Sequence, residues 1–436
     1  KVLINGIGGL ESTKLTFTYT TAAALVVGNS LTQISDVTFQ NLWLEGTVGQ
    51  TLVWSKYVRG LHFDNCRIRA DRFIDLGDGG SIAAVTYIFD LRNVEAFQLA
   101  SSTLRFIRAY NFSGQLDFQD TYVEGQQIAG LDGFYASDNV QAKIDHVTVQ
   151  GGYFSRFRDN WSFVDARVVN AYWTGHLSEL ALRNAFRFEV TSATSKSTSS
   201  VGAQYLNFTG VDVNAVGYAF YFKNNRASTG IDSVQLTGTT FTSASGGTTD
   251  GLAYFEGAGD YISNVNITGA QLGATASSAS GYGLYLVGPN LRDFRVDDYL
   301  IYGGSPVWAS ALRIATGTNF FNINIGNVSG EFATLYVDDQ TGKAKVEPNF
   351  TLSFTGSSIN FGTVNANAAH ADTVLKSGVK TTDEVTVTDL TGVTAGISFV
   401  GRVNVADSIS VTAINATTGN IAVNSPTLRI TVRGWR

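Results

Sequence analysis

The sequence predicts an all-β protein: a right-handed, single-stranded parallel β-helix followed by a small antiparallel β domain. Two observations carry this. The 436 residues include 46 Gly but only 4 Pro, with 12% aromatic and only 15% charged residues. That mixture favours strands joined by tight turns, and no window sustains a 3.6-residue apolar period. The second observation is an internal repeat with a step of roughly 29 residues, a period that belongs to solenoids.

The repeat is clearest in "VTFQNLWLEG" (from Val37) and "LDFQDTYVEG" (from Leu116). Apolar residues alternate, a turn residue stands fifth, and apolar positions resume. Matching stretches begin at Leu61, Phe97, Val147, Leu180, Leu206, Val234, Val265, Phe294, Ile323 and Leu352. The fifth position reads Asn41, Asn65, Ser101, Asp120, Gly151, Asn184, Gly210, Gly238, Gly269, Asp298, Asn327 and Gly356. All are residues that accept a left-handed backbone or bond their own main chain in a turn. Such a column between strand residues places a corner in every coil. Further strand signals ("GYAFYF", "GLAYFE", "GYGLYL") fall between the motifs, giving two or three strands per coil. Stacked coils bury each other's apolar faces, and the crossover rule gives the right hand.

In chain order, residues 1–30 read as a cap or first coil and 31–360 as the β-helix. Residues 361–436 read as a C-terminal β domain, because "EVTVTDL", "GISFVGRVNV", "SISVTAI" and "TLRITVRG" alternate between turn residues. The beginning, "KVLINGIGG", is neither an initiator Met nor a signal peptide, so the chain reads as a piece of something longer.

Several function classes are excluded. A net charge of −6 without a basic stripe argues against nucleic acid. No run of about 18 apolar residues argues against membrane insertion. The one cysteine, Cys66, cannot form an internal disulfide. No metal-ligand spacing, P-loop or dinucleotide fingerprint is present, and no cofactor is expected.

This organisation resembles the right-handed parallel β-helix group of pectate-lyase-like enzymes and phage tailspikes. The tail "GRVNVADSISVTAINATTGNIAVNSPTLRITVRGWR" looks like the terminal β domain of phage tail-associated β-helix proteins. The resemblance implies a homotrimer on the virion tail, trimerised through its C-terminal domain, that binds and cuts bacterial surface polysaccharide. The single cysteine agrees with synthesis in the reducing host cytoplasm.

Residues 56–190 hold 30 of the 66 Asp, Glu, Lys and Arg, and three of the four His. A solenoid needs no such charge for stability, and a solvated face is the plain alternative to a sugar groove. Asp117, between inward Leu116 and Phe118, should point outward, and Glu124 falls on a freely varying position beside Arg105. "YFSRFRDNWSFVD" (Tyr153 to Asp165) is the densest stretch: extended, it would put Arg156 and Arg158 on one face to hold an acidic sugar. Hydrolysis needs two carboxyl groups, for which Asp117, Glu124 and Asp159 are the candidates. A lyase needs a base and a cation beside a uronate, which Tyr153 or His146 with Arg156 and Arg158 would supply. Tyr122, Trp161 and Arg105 complete the expected sugar contacts. Glycoside hydrolysis is the expectation, with a lyase or a non-catalytic adhesin as alternatives, and Asp120 reads as a turn residue only.

Overall fold

The computed structural model describes residues 2–7, 13–18, 23–29, 31–77, 85–99, 104–110, 112–126, 131–137, 143–191, 202–227, 229–243, 251–274, 281–301, 308–315, 320–330, 332–339, 349–356, 359–376, 379–390, 395–424 and 426–434. Among them there is no helix. The chain winds as a parallel β-solenoid with three strands per coil. One coil is Val37–Gln40, Trp43–Glu45 and Thr51–Ser55, and the next is Gly60–Asp64, Arg67–Ala70 and Arg72–Leu76. First and second strands lie in a 26-stranded sheet, and third strands stack into a 12-stranded sheet.

Register follows the apolar pattern. Val37 pairs with Leu61, Leu61 with Phe89, Phe89 with Leu116, and Leu116 with Val147. Between the first and second strand of ten successive coils one residue takes a left-handed backbone: Asn41, Asn65, Asn93, Asp120, Gly151, Gly175, Gly210, Gly238, Gly269 and Asp298, with φ from 47° to 65°. Asn or Asp tolerates this conformation, and Gly takes it without a Cβ clash. Asn side chains also link coils, with Asn65 Nδ2 donating to Asn41 Oδ1 at 2.7 Å.

Three repeat assignments need correction. Phe97 and Leu180 lie in second strands, Glu95–Gln98 and Leu177–Ala181. The true members of the column are Phe89 and Ala171, and the corners there are Asn93 and Gly175. Second strands alternate too, and a turn-forming residue four places on completed the false match. Asn184 begins a third strand, and Ser101 lies outside the described residues. At the last coil Leu352 pairs with Val328, so Asn327 and Gly356 sit within strands rather than at corners.

Inward positions form one continuous core with ring-on-ring ladders. Phe39 stacks on Phe63 at 4.9 Å, Trp173 on Phe208 at 4.7 Å, and Phe163 on Phe188 at 4.8 Å. Such pairs each add about 0.5–1.5 kcal/mol beyond area burial. Strands Val2–Asn5, Lys14–Thr16 and Ala23–Val27 pair in parallel as the first coil. At the other end, Asn349–Gly356 joins the last coil and then pairs antiparallel with Leu428–Gly434. Ala369–Leu375, Ser408–Asn415 and Ile397–Val405 form a small antiparallel sheet.

Candidate active site

Alternation along the first strand sends every second side chain outward. Parallel register then stacks these residues coil on coil: Thr38, His62, Asp90, Asp117, Thr148 and Tyr172. This face holds a cleft of about 420 Å³ lined by residues that include Asp36, Thr38, His62, Asp64, Asp90 and Arg92. Asp90 lines the cleft, and Asp117 is its direct register partner on the next coil. His62 Nδ1 lies 2.6 Å from Asp90 Oδ2, and Arg92 reaches Asp117 Oδ2 at 3.5 Å. Partial burial, and then the negative charge of Asp90, hold the Asp117 carboxyl above the usual carboxylate range. The nearby Arg92 opposes this and does not cancel it. His146 shares the face: its Nε2 is 3.0 Å from Thr148 Oγ1, and its ring lies 5.7 Å from that of Tyr172.

The remaining sequence candidates are distributed over other surfaces. Tyr122 and Tyr153 are stacked positions of the second strand, edge to face at 5.2 Å. Glu124 lies on the same strand row and receives a 2.6 Å bond from Arg156, not from Arg105. Arg156 itself has φ 64°, so the Tyr153–Asp165 stretch bends there and its two arginines diverge. Arg158 grips Asp132 with two nitrogens, Nε and Nη2. Arg105 belongs to that same corner, 3.5 Å from Asp132 and stacked over Tyr135. Asp159 is completely buried and tied to Arg183. Burial, and then the charge of Asp159, push Asp132 up. Trp161 is in the core, 0% exposed, with its ring 4.3 Å from that of Phe154, so no sugar can stack on it.

Burial, and then the charges of Glu124 and Glu179, also raise the Tyr153 phenol. A tyrosine held in this way keeps its proton and makes a poor base.

Sequence reasoning missed Asp90 and Asp132. Asp90 was hidden because the repeat column was threaded through Phe97 instead of Phe89, and its signal was the "FDLRN" match to "FQLAS" eight residues on. Asp132 follows a segment with no motif. Among the described residues no three His, Cys, Asp or Glu side chains are grouped to hold a metal ion.

No family model matches the chain, and no curated protein does. Solved structures do. A double mutant of the tailspike protein of E. coli bacteriophage HK620, in complex with a pentasaccharide, aligns at 11% identity over 100% of this chain and 87% of that one, with a TM-score of 0.49. The tailspike of the same phage with pentasaccharide aligns at 11% identity over 97% of this chain and 86% of that one, TM-score 0.47.

Proposed function

We propose that this protein is a polysaccharide depolymerase that hydrolyses glycosidic bonds at the Asp90–Asp117 pair. The observation that carries the reading is the register of these two carboxylates, Asp90 in the cleft and Asp117 on the next coil, with the proton of Asp117 held more tightly than in an ordinary carboxyl. Asp117 gives that proton to the glycosidic oxygen as the C–O bond breaks. Asp90, oriented by His62, attacks the anomeric carbon from its side of the ring. Water then displaces Asp90, returning a proton to Asp117. Adjacent strands are about 4.8 Å apart, close to the carboxyl separation of about 5–5.5 Å used by retaining enzymes. Retention of configuration is therefore the expected outcome.

The raised Tyr153 phenol supports hydrolysis over β-elimination. A bacterial surface polysaccharide as substrate, a homotrimer and a place on the virion tail follow from the resemblance of the C-terminal sequence.

The test is incubation with a panel of capsular and extracellular polysaccharides. New reducing ends without ultraviolet absorbance from an unsaturated uronate support hydrolysis, and NMR of the first product reports the anomer. Unsaturated products would replace this reading with a lyase. Binding without cleavage would replace it with an adhesin.

A further inference from the structure

A second charged surface lies where the second strand turns into the third, and the cleft chemistry does not use it. Main-chain bonds stack the coils here. Arg158 N donates to Leu131 O at 2.7 Å, and Arg183 N to Arg158 O at 2.8 Å. Arg72 Nε donates to Arg105 O at 3.2 Å. Arg72 and Arg105 are therefore neighbours along this corner, as are Arg158 and Arg183, with the coil of Leu131 and Asp132 between the two pairs. Arg108 and Arg187 add to them from outward positions of the third strand, in one register column with Asp75, Tyr135 and Ser162.

The carboxylates form the inner layer. Arg108 holds Asp75 at 2.6 and 2.8 Å, Arg158 holds Asp132 at 2.8 and 3.0 Å, and Arg183 Nε holds Asp159 at 2.9 Å. Arg187 reaches Glu189 at 2.8 Å. Asp132 and Asp159 are 0% exposed, whereas the side chains of Arg105 and Arg183 are 36% and 40% exposed. Six guanidinium groups thus stand over four carboxylates. Every arginine has a carboxylate partner, but Arg72 shares Asp75 with Arg108, at 2.9 Å, and Arg105 shares Asp132 with Arg158, so the corner carries a formal surplus of two positive charges. Each guanidinium has five N–H donors, and a bidentate pair uses two. What solvent meets is the outer arginines, Arg105 and Arg183 most of all, on a chain whose net charge is −6. The same register column turns to Tyr221, Tyr254 and Tyr285 in later coils, so stacking there proceeds without arginine.

We propose that this arginine corner binds an anionic polysaccharide through acidic groups on its sugars. Guanidinium forks match planar carboxylates in two-point contact, and they lie on coils about 4.8 Å apart, with the coil of Asp132 and Tyr135 between Arg105 and Arg158. A polymer with recurring acidic groups engages several at once, which a single small anion does not. Arg105, 3.4 Å over the Tyr135 ring, is held in place before the ligand arrives. Phosphate groups share this chemistry, and the test separates the two sources. The proposal goes beyond the cleft reading and stands whether or not Asp117 cleaves, because it is read by binding alone.

The experiment is affinity electrophoresis and calorimetry of the full chain with polygalacturonate, polyphosphate and neutral dextran. Polygalacturonate should bind, with affinity falling as salt rises, and dextran should not. Arg105→Gln leaves Asp132 its bidentate partner Arg158, so the melting temperature should hold while polygalacturonate affinity falls about tenfold, the scale of a lost hydrogen bond between charged groups. Arg108→Gln gives an independent second variant and should weaken binding likewise. Equal binding of dextran, or unchanged affinity in both variants, overturns the proposal. Polyphosphate binding more tightly than polygalacturonate overturns its assignment to sugar carboxylates. Asp117→Asn, measured in parallel, should bind like the parent chain, which separates failure here from failure of the cleavage reading.

Discussion

Trp161 Nε1 donates to His176 Nε2 at 3.2 Å inside the solenoid, which leaves the His176 proton on Nδ1, 3.0 Å from Gly151 O. This neutral tautomer is locked in the core, and burial lowers the His176 pKa from 6.5 to about 4. Above pH 6.5 neither folded nor unfolded chain holds the extra proton and the fold keeps its full stability. Below 6.5 the unfolded chain takes the proton and the folded chain refuses it. Stability should therefore fall down to about pH 4, by on the order of 3 kcal/mol. His176→Gln retains an acceptor for Trp161 and removes the titration. Melting curves from pH 7 to 4.5 should show the acid limb flattened in that variant. Trp161→Ala should cost about 3–5 kcal/mol at any pH, as a core truncation.

Asp117→Asn should lower depolymerase activity by about 10²–10⁴ without changing the melting temperature, the scale of a lost general acid. The direction of the Asp117 shift also sets the pH profile. Its protonated form persists to higher pH than an ordinary carboxyl, so activity should decline on the alkaline side later than a free Asp would dictate. His62→Gln, which loosens the orientation of Asp90, should lower turnover more than substrate affinity. Reducing-end assays across pH 4–8 check all three expectations.

Tyr153→Phe and Glu124→Gln should leave cleavage nearly unchanged. Both sit on the second-strand row, and Glu124 is already engaged by Arg156. An exposed pair of this kind contributes only about 0–1 kcal/mol to stability. A loss of cleavage in Tyr153→Phe beyond about tenfold would put the lyase ahead of the hydrolase.

Asp120 has φ 47° and occupies the column where Asn41, Asn65 and Asn93 make the same turn. Asp120→Asn should be silent in both activity and melting temperature. Asp120→Val should destabilise by about 1–2 kcal/mol, because a β-branched residue does not tolerate the left-handed region. Thermal melts of the two variants give the contrast.

The architecture was legible because the apolar alternation and the corner residue both had to survive in each coil. Gly210, Gly238 and Gly269 stand stacked at successive corners as their spacing implied. What misled was local: the alternation of Phe97 and Leu180 is as good as that of Phe89 and Ala171, and only interstrand register separates them. A second left-handed column, at Asn170, Tyr205, Ser233, Asn264, Asp293 and Asn322, gave no comparable signal, because Tyr and Ser interrupt it. Asp117 was identified as outward from its neighbours in sequence. Its partner Asp90 comes from another coil, and a site assembled across coils is visible only once the register is known. Trp161 was chosen for its chemistry and turned out to face inward, since aromatic rings serve a core and a sugar site equally well.

The antiparallel seam at the end of the solenoid has a kinetic meaning. Each parallel coil pairs with the preceding one, as Leu61 does with Val37, so an elongating chain can add coils in order as they emerge. The strand Asn349–Gly356 is different. Its free edge is met by Leu428–Gly434, with Gly356 against Leu428 and Phe350 against Gly434. Until that distant segment is synthesised and folds back, the growing rod presents an unpaired edge able to accept a strand from another chain. Closure of the edge is thus a late, long-range step, and the interval before it is when chains are exposed to one another.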